Sequence, residues 1–450
     1  MSPDRPSEKR STANDTIVAV ATPPGRGGVG IVRVSGPKAL EIAESLGRKP
    51  FKPRLATLTR FFDQSGELLD EGITICFEEG ASYTGEPVVE LQGHGGPIVM
   101  QRLLRATLAA GARLARPGEF TERAFLSGRM DLAQAEAVAD LIASGSETAA
   151  RAAVRSLTGE FSIRTDAVAD ALRMIRIRVE ALIDFPDEEL DLAANEDSKE
   201  ELHQLAEDLD GLLDVSRQGA RLSRGAVIAI VGEPNAGKSS LLNVLAGEEA
   251  AIVTAIPGTT RDVLRVDLDI EGLPIRLLDT AGLRQTTDPV EQEGIKRASV
   301  SLASADLVIH VRDVCQPGSE TFARQWLGTA KQVLTVGTKI DLDGPYVQGC
   351  DVLVSAVTRQ GVEALRHRIV SAIGFDPAAT TFTARERHVR LLEETRLHVQ
   401  TAIALIDAKA HPEITAEELR LAHDCIGQIS GKVTADELLG DIFSTFCIGK

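Results

Sequence analysis

The sequence predicts a multidomain fold of mixed α+β and α/β type, in which an α/β domain is inserted into an α-helical domain. Three observations carry this. The hydrophobic period changes at Arg129, from short strands and turns to helical spacing, and again at Gly225, to apolar runs alternating with helices. A strand-like run at 226–231 (AVIAIV) leads straight into a glycine-rich turn and a new helix. Helical spacing returns after Pro377, and helices on both sides of an insertion each have an apolar face to bury.

The expected domains are therefore 1–128 (α+β), 129–222 (first helical part), 223–376 (α/β) and 377–450 (second helical part). In the first, 16–22, 30–34, 73–77 and 88–91 read as strands and 97–109 as a helix. Residues 131–157 and 161–185 are Ala-rich with apolar residues three and four apart, and 188–222 continues that pattern with many acids. Thr415-x-x-Glu418 and Thr434-x-x-Glu437 read as capping boxes.

Composition narrows the function. The 450 residues hold 66 acids against 49 Lys and Arg, a net charge of -17. This disfavours a broad cationic surface for nucleic acid and leaves room for a local patch or a basic partner. The five cysteines, Cys76, Cys315, Cys350, Cys425 and Cys447, have no metal-ligand spacing, which points to reduced thiols in a cytoplasm. No 18-residue apolar run exists, so no membrane span is expected, and the polar start reads as a loose tail.

The turn after 226–231 is Gly232-Glu-Pro-Asn-Ala-Gly237-Lys238-Ser239, which fits GxxxxGK[ST] in the required strand–loop–helix context. Its backbone N–H groups and helix N-terminus suit phosphate. Asn235, Ala236, Gly237, Lys238, Ser239 and Ser240 form the expected phosphate-binding stretch. Lys238 is expected to reach the β- and γ-phosphates and Ser239 to ligate Mg²⁺. Asp279-Thr280-Ala281-Gly282 follows a strand-like run 41 residues after Lys238 and fits the place of the metal and γ-phosphate loop. Thr338-Lys339-Ile-Asp341 fits the base-reading position, with Asp341 accepting from guanine N1–H and N2–H₂. Thr338 stands where Asn is usual. Ser355-Ala356 completes the base loop. All four in chain order predict a P-loop GTPase domain with GTP as substrate.

Residues 254–260 (Thr254, Ala255, Ile256, Pro257, Gly258, Thr259, Thr260) fit the first switch loop, with Thr260 the second hydroxyl for Mg²⁺. Leu283 occupies the position after DTAG where many GTPases orient water with Gln. Glu291, twelve residues beyond Asp279, is the candidate for that task. It reads equally well as a first-turn acid favoured by a helix dipole.

GEPNAGKSSLLN, PGTTRDV and DTAGLR resemble the MnmE (TrmE) family of tRNA-modification GTPases. So do ATPPGRGGVGIVRVSG, ELQGHGGP, ARPGEFTERAF and the terminal CIGK, so the resemblance spans nearly the whole chain. It implies a catalytic K⁺ held by Asn235, Thr254, Ile256 and Thr259, with Lys238 and Glu291 as catalytic residues. It implies an N-terminal domain that dimerises and binds a 5-formyl- or 5,10-methylene-tetrahydrofolate through Arg33, Glu90, Arg129 and Lys450. Arg129 stands where the family has Lys. The resemblance further implies a homodimer with GTP-dependent pairing of its GTPase domains, a flavoprotein partner (MnmG), and addition of an aminomethyl or carboxymethylaminomethyl group to C5 of the wobble uridine of certain tRNAs. Cys447 lies in the terminal motif and also reads as a small apolar residue.

Two other classes compete. Gly25-Arg-Gly27-Gly-Val-Gly30 matches a dinucleotide fingerprint, but IVRVSG follows where a helix is required, so a hairpin is expected. A ribosome-assembly or RNA-chaperone GTPase would share the nucleotide motifs, yet such proteins usually carry a basic appendage, and the flanking helices here are acidic or Ala-rich.

Overall fold

The computed structural model describes residues 15–184, 191–247, 265–279, 305–316, 331–342, 349–379, 382–433 and 436–449. In chain order, the N-terminal elements are β1 (Ile17–Val20), β2 (Gly27–Ser35), α1 (Ala39–Gly47), β3 (Thr57–Phe62), β4 (Leu68–Phe77), β5 (Val88–Gly95), α2 (Pro97–Ala109), β6 (Arg113–Leu114) and α3 (Glu119–Leu126). Helices α4 (Leu132–Ala143), α5 (Glu147–Leu157), α6 (Glu160–Asp184) and α7 (Asp191–Arg224) follow. The α/β part comprises β7 (Ala226–Gly232), α8 (Lys238–Ala246), β8 (Arg265–Ile270), β9 (Leu273–Asp279), β10 (Leu307–Asp313), β11 (Val333–Thr338), β12 (Val352–Val354) and α9 (Val362–Ile373). The last helices are α10 (Glu386–Asp407), α11 (Pro412–Ser430) and α12 (Asp436–Ser444). Two compact units result, one of residues up to 136 with those from 430 on, the other of residues 137–429.

The first unit is built on a sheet of order β3-β4-β5-β2-β1-β6, antiparallel except where β1 meets β6. Residues 25–30 open no helix. Gly27 already belongs to β2, which forms the expected hairpin with β1. Helix α2 starts where the sequence placed it, because Pro97 at its first position brings a preset φ and no orphan N–H. It buries Met100, Leu103 and Ala106, and α1 buries Ile42, Ala43 and Leu46, in one core with Val18, Val32, Val34, Val89 and Leu91.

The chain end belongs to this unit, whereas the sequence reading gave 377–450 whole to the helical domain. Phe443 of α12 packs on Phe125 of α3 with ring centroids 6.3 Å apart, and Phe446 extends the cluster. Gly118 makes this possible. Its φ is +68°, and a Cβ there would stand 2.4 Å from the Phe443 carbonyl oxygen. Its N–H donates to the Cys447 carbonyl at 3.4 Å.

In the second unit the sheet order is β12-β11-β10-β7-β9-β8, parallel throughout except for β8 against β9. Strand β10 is buried along its whole length, as a central parallel strand should be. Ile228, Ile230, Leu277, Ile309, Val311 and Val336 form its core with Leu241 of α8 and Leu365 of α9, and Ala149 of α5 and Leu222 of α7 join the same cluster. The returning chain closes the insertion. Phe382 stacks on Phe161 of α6 at 4.8 Å, and Ser156 of α5 donates to the Thr383 carbonyl and accepts its N–H, both at 2.9 Å. The α/β domain is thus inserted in a helical one and preceded by an α+β domain.

Two local readings change. The expected helical stretch 131–157 is two helices, because Ser146 caps α5 by accepting the Ala149 N–H at 3.0 Å. Thr415 is not an N-cap. Helix α11 begins at Pro412, and Thr415 is buried inside it. Thr434 lies outside the described residues. Among the described residues no helix is long and apolar enough to cross a membrane.

His310 of β10 is buried beside Arg312, and burial first, then the Arg312 charge, depresses its pKa from 6.5 to about 4. Above pH 6.5 both folded and unfolded states are neutral at this position. As pH falls further, the unfolded chain takes the proton first, so stability is lost between about pH 6.5 and about pH 4. At about 1.4 kcal/mol per unit the loss approaches roughly 3 kcal/mol. Urea midpoints measured across this range should fall in the wild type and slope less in His310→Gln.

Candidate active site

Five parallel strands bring their C-terminal ends to one edge of the second sheet, and the nucleotide motifs sit on that edge. Gly232 ends β7 opposite Val311 of β10, where a Cβ would stand 2.3 Å from the Val311 carbonyl oxygen. Only glycine lets the two strands run this close. Residues 233–237 then turn into α8. Asn235 (φ 64°) and Gly237 (φ 93°) are both left-handed, which turns successive N–H groups toward one side. Gly237 is the N-cap residue of α8, so the helix N-terminus faces the same loop.

Lys238 opens α8, and its ammonium donates to the carbonyls of Gly232 at 2.9 Å and Glu233 at 2.7 Å, so its charge lies across the loop. Ser239 and Ser240, also in the first turn, are exposed, as is Asn235, while Ala236 is buried. The backbone of Asp279 ends β9 in register with Ile230, at the same sheet edge. Thr254, Ala255, Ile256, Pro257, Gly258, Thr259, Thr260, Thr280, Ala281, Gly282 and Glu291 lie outside the described residues.

The segment expected to read the base is tied to the loop by a side chain that the sequence marks as a departure. Thr338 ends β11, and its buried hydroxyl lies 2.6 Å from the Ala236 carbonyl and 3.0 Å from that of Arg312. One threonine thus joins the phosphate loop, β10 and β11. Lys339, with φ 65°, donates to Asp313 at 2.7 Å. Asp341 is exposed, and its Oδ1 accepts from Ser355 Oγ at 2.6 Å. Ser355 is fully buried and itself accepts the N–H groups of Val357 at 3.2 Å and Thr358 at 3.0 Å. Its hydroxyl proton therefore has one destination, the Asp341 carboxylate, which it orients. Ala356 follows, half-buried.

Asp313 is the residue that sequence reading missed. It is buried at the end of β10, accepts the Cys315 N–H at 2.9 Å and anchors Lys339. An acid closing the apolar run LVIHVRD was the available signal.

Arg33 and Glu90 are cross-strand partners in the first unit, with guanidinium–carboxylate distances of 2.9 and 3.1 Å. The guanidinium lies 5.5 Å from the Tyr83 ring and 5.9 Å from that of Phe120. Arg129 is exposed and donates to the Gly80 carbonyl at 3.1 Å. Cys447 is exposed, and Lys450 lies outside the described residues.

A family model described as the MnmE helical domain matches residues 132–447, which is 316 of 450 residues. A second, described as the GTP-binding protein TrmE N-terminus, matches residues 16–129. The chain belongs to the MnmE family. It is a GTP-hydrolysing enzyme of tRNA modification. Solved structures similar to part of it include the G domain of the T. maritima FeoB iron transporter, 27% identical over 33% of this chain and 98% of that one, with a TM-score of 0.26. An Era variant from Aquifex aeolicus bound to GDP.AlF4⁻ is 24% identical over 38% of this chain and 66% of that one, with a TM-score of 0.28. The Methanococcus jannaschii FeoB G domain is 23% identical over 33% and 97%, with a TM-score of 0.27.

Replacing Thr338 by the isosteric Val removes the hydroxyl and leaves the buried Ala236 carbonyl without that donor. GTP affinity, read with a fluorescent analogue, should fall about tenfold, equivalent to about 1.4 kcal/mol. An unchanged affinity would mean the loop holds its shape without Thr338.

Proposed function

We propose that this enzyme hydrolyses GTP at the 233–240 loop with K⁺ as the charge-offsetting cation, and that hydrolysis drives addition of an aminomethyl or carboxymethylaminomethyl group to C5 of the wobble uridine. The single observation that carries the nucleotide part is the convergence of Lys238, Thr338, Lys339 and Asp341 at one sheet edge around a left-handed loop. In this reading Lys238 neutralises the β- and γ-phosphates, and Asp341, with one oxygen fixed by Ser355, accepts from guanine N1–H and N2–H₂. Glu291 orients the attacking water.

The donor chemistry suits the implied ions. Ser239 presents a hydroxyl in the first turn of α8, suited to Mg²⁺ together with Thr260. Asn235 presents an amide oxygen from an exposed left-handed position, and with Thr254, Ile256 and Thr259 it would give K⁺ an all-oxygen set. A monovalent cation there would offset charge that grows on the phosphates in transfer. The first unit suits a one-carbon tetrahydrofolate. Glu90, held by Arg33, can accept from pterin N–H groups, with Tyr83 beside the guanidinium as an aromatic wall and Arg129 and Lys450 for the anionic tail. The reading includes a cytoplasmic homodimer joined through the N-terminal domain, GTP-dependent pairing of GTPase domains, and the flavoprotein MnmG, which could supply the positive surface that a chain of charge -17 lacks.

The competing classes lose support. The β1–β2 hairpin stands where a dinucleotide-binding helix would begin, and the TrmE N-terminal match over 16–129 has no place in a ribosome-assembly GTPase.

Hydrolysis measured in KCl and in NaCl at equal ionic strength should be much faster in K⁺, by about tenfold or more, and Asn235→Ala should abolish the difference. Equal rates in both salts would end the K⁺ proposal. Asp341→Asn reverses the polarity of the base contact. It should weaken GTP about 100-fold and admit xanthosine triphosphate, whose O2 accepts where guanine donates. Competition of the two nucleotides for the variant reads this directly.

A further inference from the structure

The first unit carries a titratable pair that none of these roles uses. Asp70 of β4 places Oδ1 2.7 Å from His94 Nδ1, and its Oδ2 accepts the His94 backbone N–H, also at 2.7 Å. The Glu71 N–H donates to Oδ1 at 2.8 Å. Burial pushes the Asp70 carboxyl up, but the His94 backbone and ring hydrogen bonds and that of Glu71 outweigh it and hold the group below its ordinary range. The Asp70 side chain is only 10% exposed, whereas that of His94 is 74% exposed. An anchored carboxylate thus fixes Nδ1–H toward itself and leaves the Nε2 lone pair in solvent. The nearby acids are already engaged, Glu71 with Arg60 at 2.7 Å and Glu67 with Arg102 of α2 at 2.5 Å.

Strand alternation puts Glu90, Gln92 and His94 on one face of β5, about 13 Å from first to last. Gln92 Nε2 lies 3.4 Å from Glu90 Oε2, which continues the polar row that starts at Arg33. The strand beside His94 is glycine-rich, with Val29 as its one exposed apolar side chain between Gly27 and Gly30. Gly27 and Gly30 are the register partners of Gly95 and Gly93, and a Cβ on Gly28 would meet nothing within 4 Å. A Cβ on Gly95 would stand 2.7 Å from the carbonyl oxygens of Gly27 and Val29, so the two strands also need glycine to pass. Within the run Gly25–Gly30, which matches a dinucleotide fingerprint, Gly28 leaves open space on the approach to the imidazole, beside the exposed Arg26 and Val29.

We propose that the Asp70–His94 pair is a general base serving this face: His94 Nε2 takes the proton from a primary amine that adds to the folate-borne one-carbon unit. This rests on the reading of the Arg33–Glu90 face as the folate site. At neutral pH such an amine is mostly ammonium and has no lone pair for attack. When the N–H bond breaks, its electron pair becomes the lone pair that forms the new N–C bond and the proton passes to Nε2, while the methylene carbon gives up one of its two bonds to folate nitrogen, whose electron pair stays on that nitrogen and takes a proton from water. Asp70 stays ionised and stabilises the imidazolium. The exposed Nε2–H then returns the proton to water.

The test uses the full-length protein with ¹⁵N-labelled histidine, and the His94 signals are assigned with His94→Gln. The Nδ1–H tautomer should dominate in the wild type and give way to a mixture in Asp70→Asn, and 5-formyl-tetrahydrofolate should shift the His94 ring signals. In the presence of MnmG, tRNA and methylene-tetrahydrofolate, His94→Ala should slow one-carbon transfer about 100-fold, keep 5-formyl-tetrahydrofolate affinity within about threefold, and regain at least tenfold on adding imidazole. Thermal melting within a few degrees of wild type confirms that the variants fold. An unaltered rate in His94→Ala, or a loss that imidazole does not rescue, would reduce the pair to a clasp on the strand end. Glu90→Ala separates the two levels. Retained 5-formyl-tetrahydrofolate binding there overturns the folate reading, whereas lost binding there with an unaltered rate in His94→Ala overturns the general base alone.

Discussion

One buried hydroxyl holds the nucleotide edge together. Thr338 Oγ1 lies within hydrogen-bond distance of carbonyls on the phosphate loop and on β10, while its own backbone closes β11. A carbonyl buried at such a junction costs about 1–3 kcal/mol if it loses its partner, so the three segments cannot separate cheaply. Gly232 supplies the matching constraint from below, since β7 approaches β10 too closely for any Cβ. Lys339 then reaches back to Asp313, and Ser355 reaches across to Asp341. The edge is thus tied together by side chains on four strand ends.

The first unit depends on charge in a different way. Arg123 of α3 is buried among Asp15, Glu86 and Glu119, and Arg113 shares Asp15 and Glu119. Burial pushes the Glu119 carboxyl up, but the Arg113 hydrogen bonds, with the charges of Arg113 and Arg123, outweigh it and hold it below its usual range. Removing one member of such a cluster strands a buried charge, so it specifies how α3 seats more than it adds net stability. Helix α3 in turn presents Phe125 to α12 and, through Gly118, receives the chain end.

The helical and α/β parts of the second unit share one core. Ala149 and Leu222 sit in the cluster of the parallel sheet. Ser146 caps α5 and also donates at 2.7 Å to the carbonyl of Gly272, in the turn joining β8 to β9. The far end of β9 is Asp279, the first residue of the DTAG motif. A seven-residue strand therefore links the nucleotide edge to a helix cap.

What the sequence determined by itself was local and motif-borne. A strand, a glycine loop and a helix in series can only be read one way when Lys and Ser open the helix, and a proline at 97 fixes where α2 starts whatever surrounds it. Helices of twenty residues or more, such as α6, announce themselves through repeated apolar spacing. The tertiary structure alone decided features that need distant partners. Helix α1 is only nine residues long, so its apolar spacing at 39, 42, 43 and 46 spans barely two turns, and the end of the chain joined the first unit through Phe443. The departure at Thr338 illustrates the same limit. Sequence could register the missing amide, but only the fold brings a carbonyl 102 residues away within 2.6 Å of the hydroxyl that remains. Asp70 and His94, 24 residues apart, likewise become a pair only because β4 and β5 are neighbours in the sheet. Propensity and spacing act over a few residues, whereas such contacts depend on register between strands, and register is set by the packing of the whole sheet.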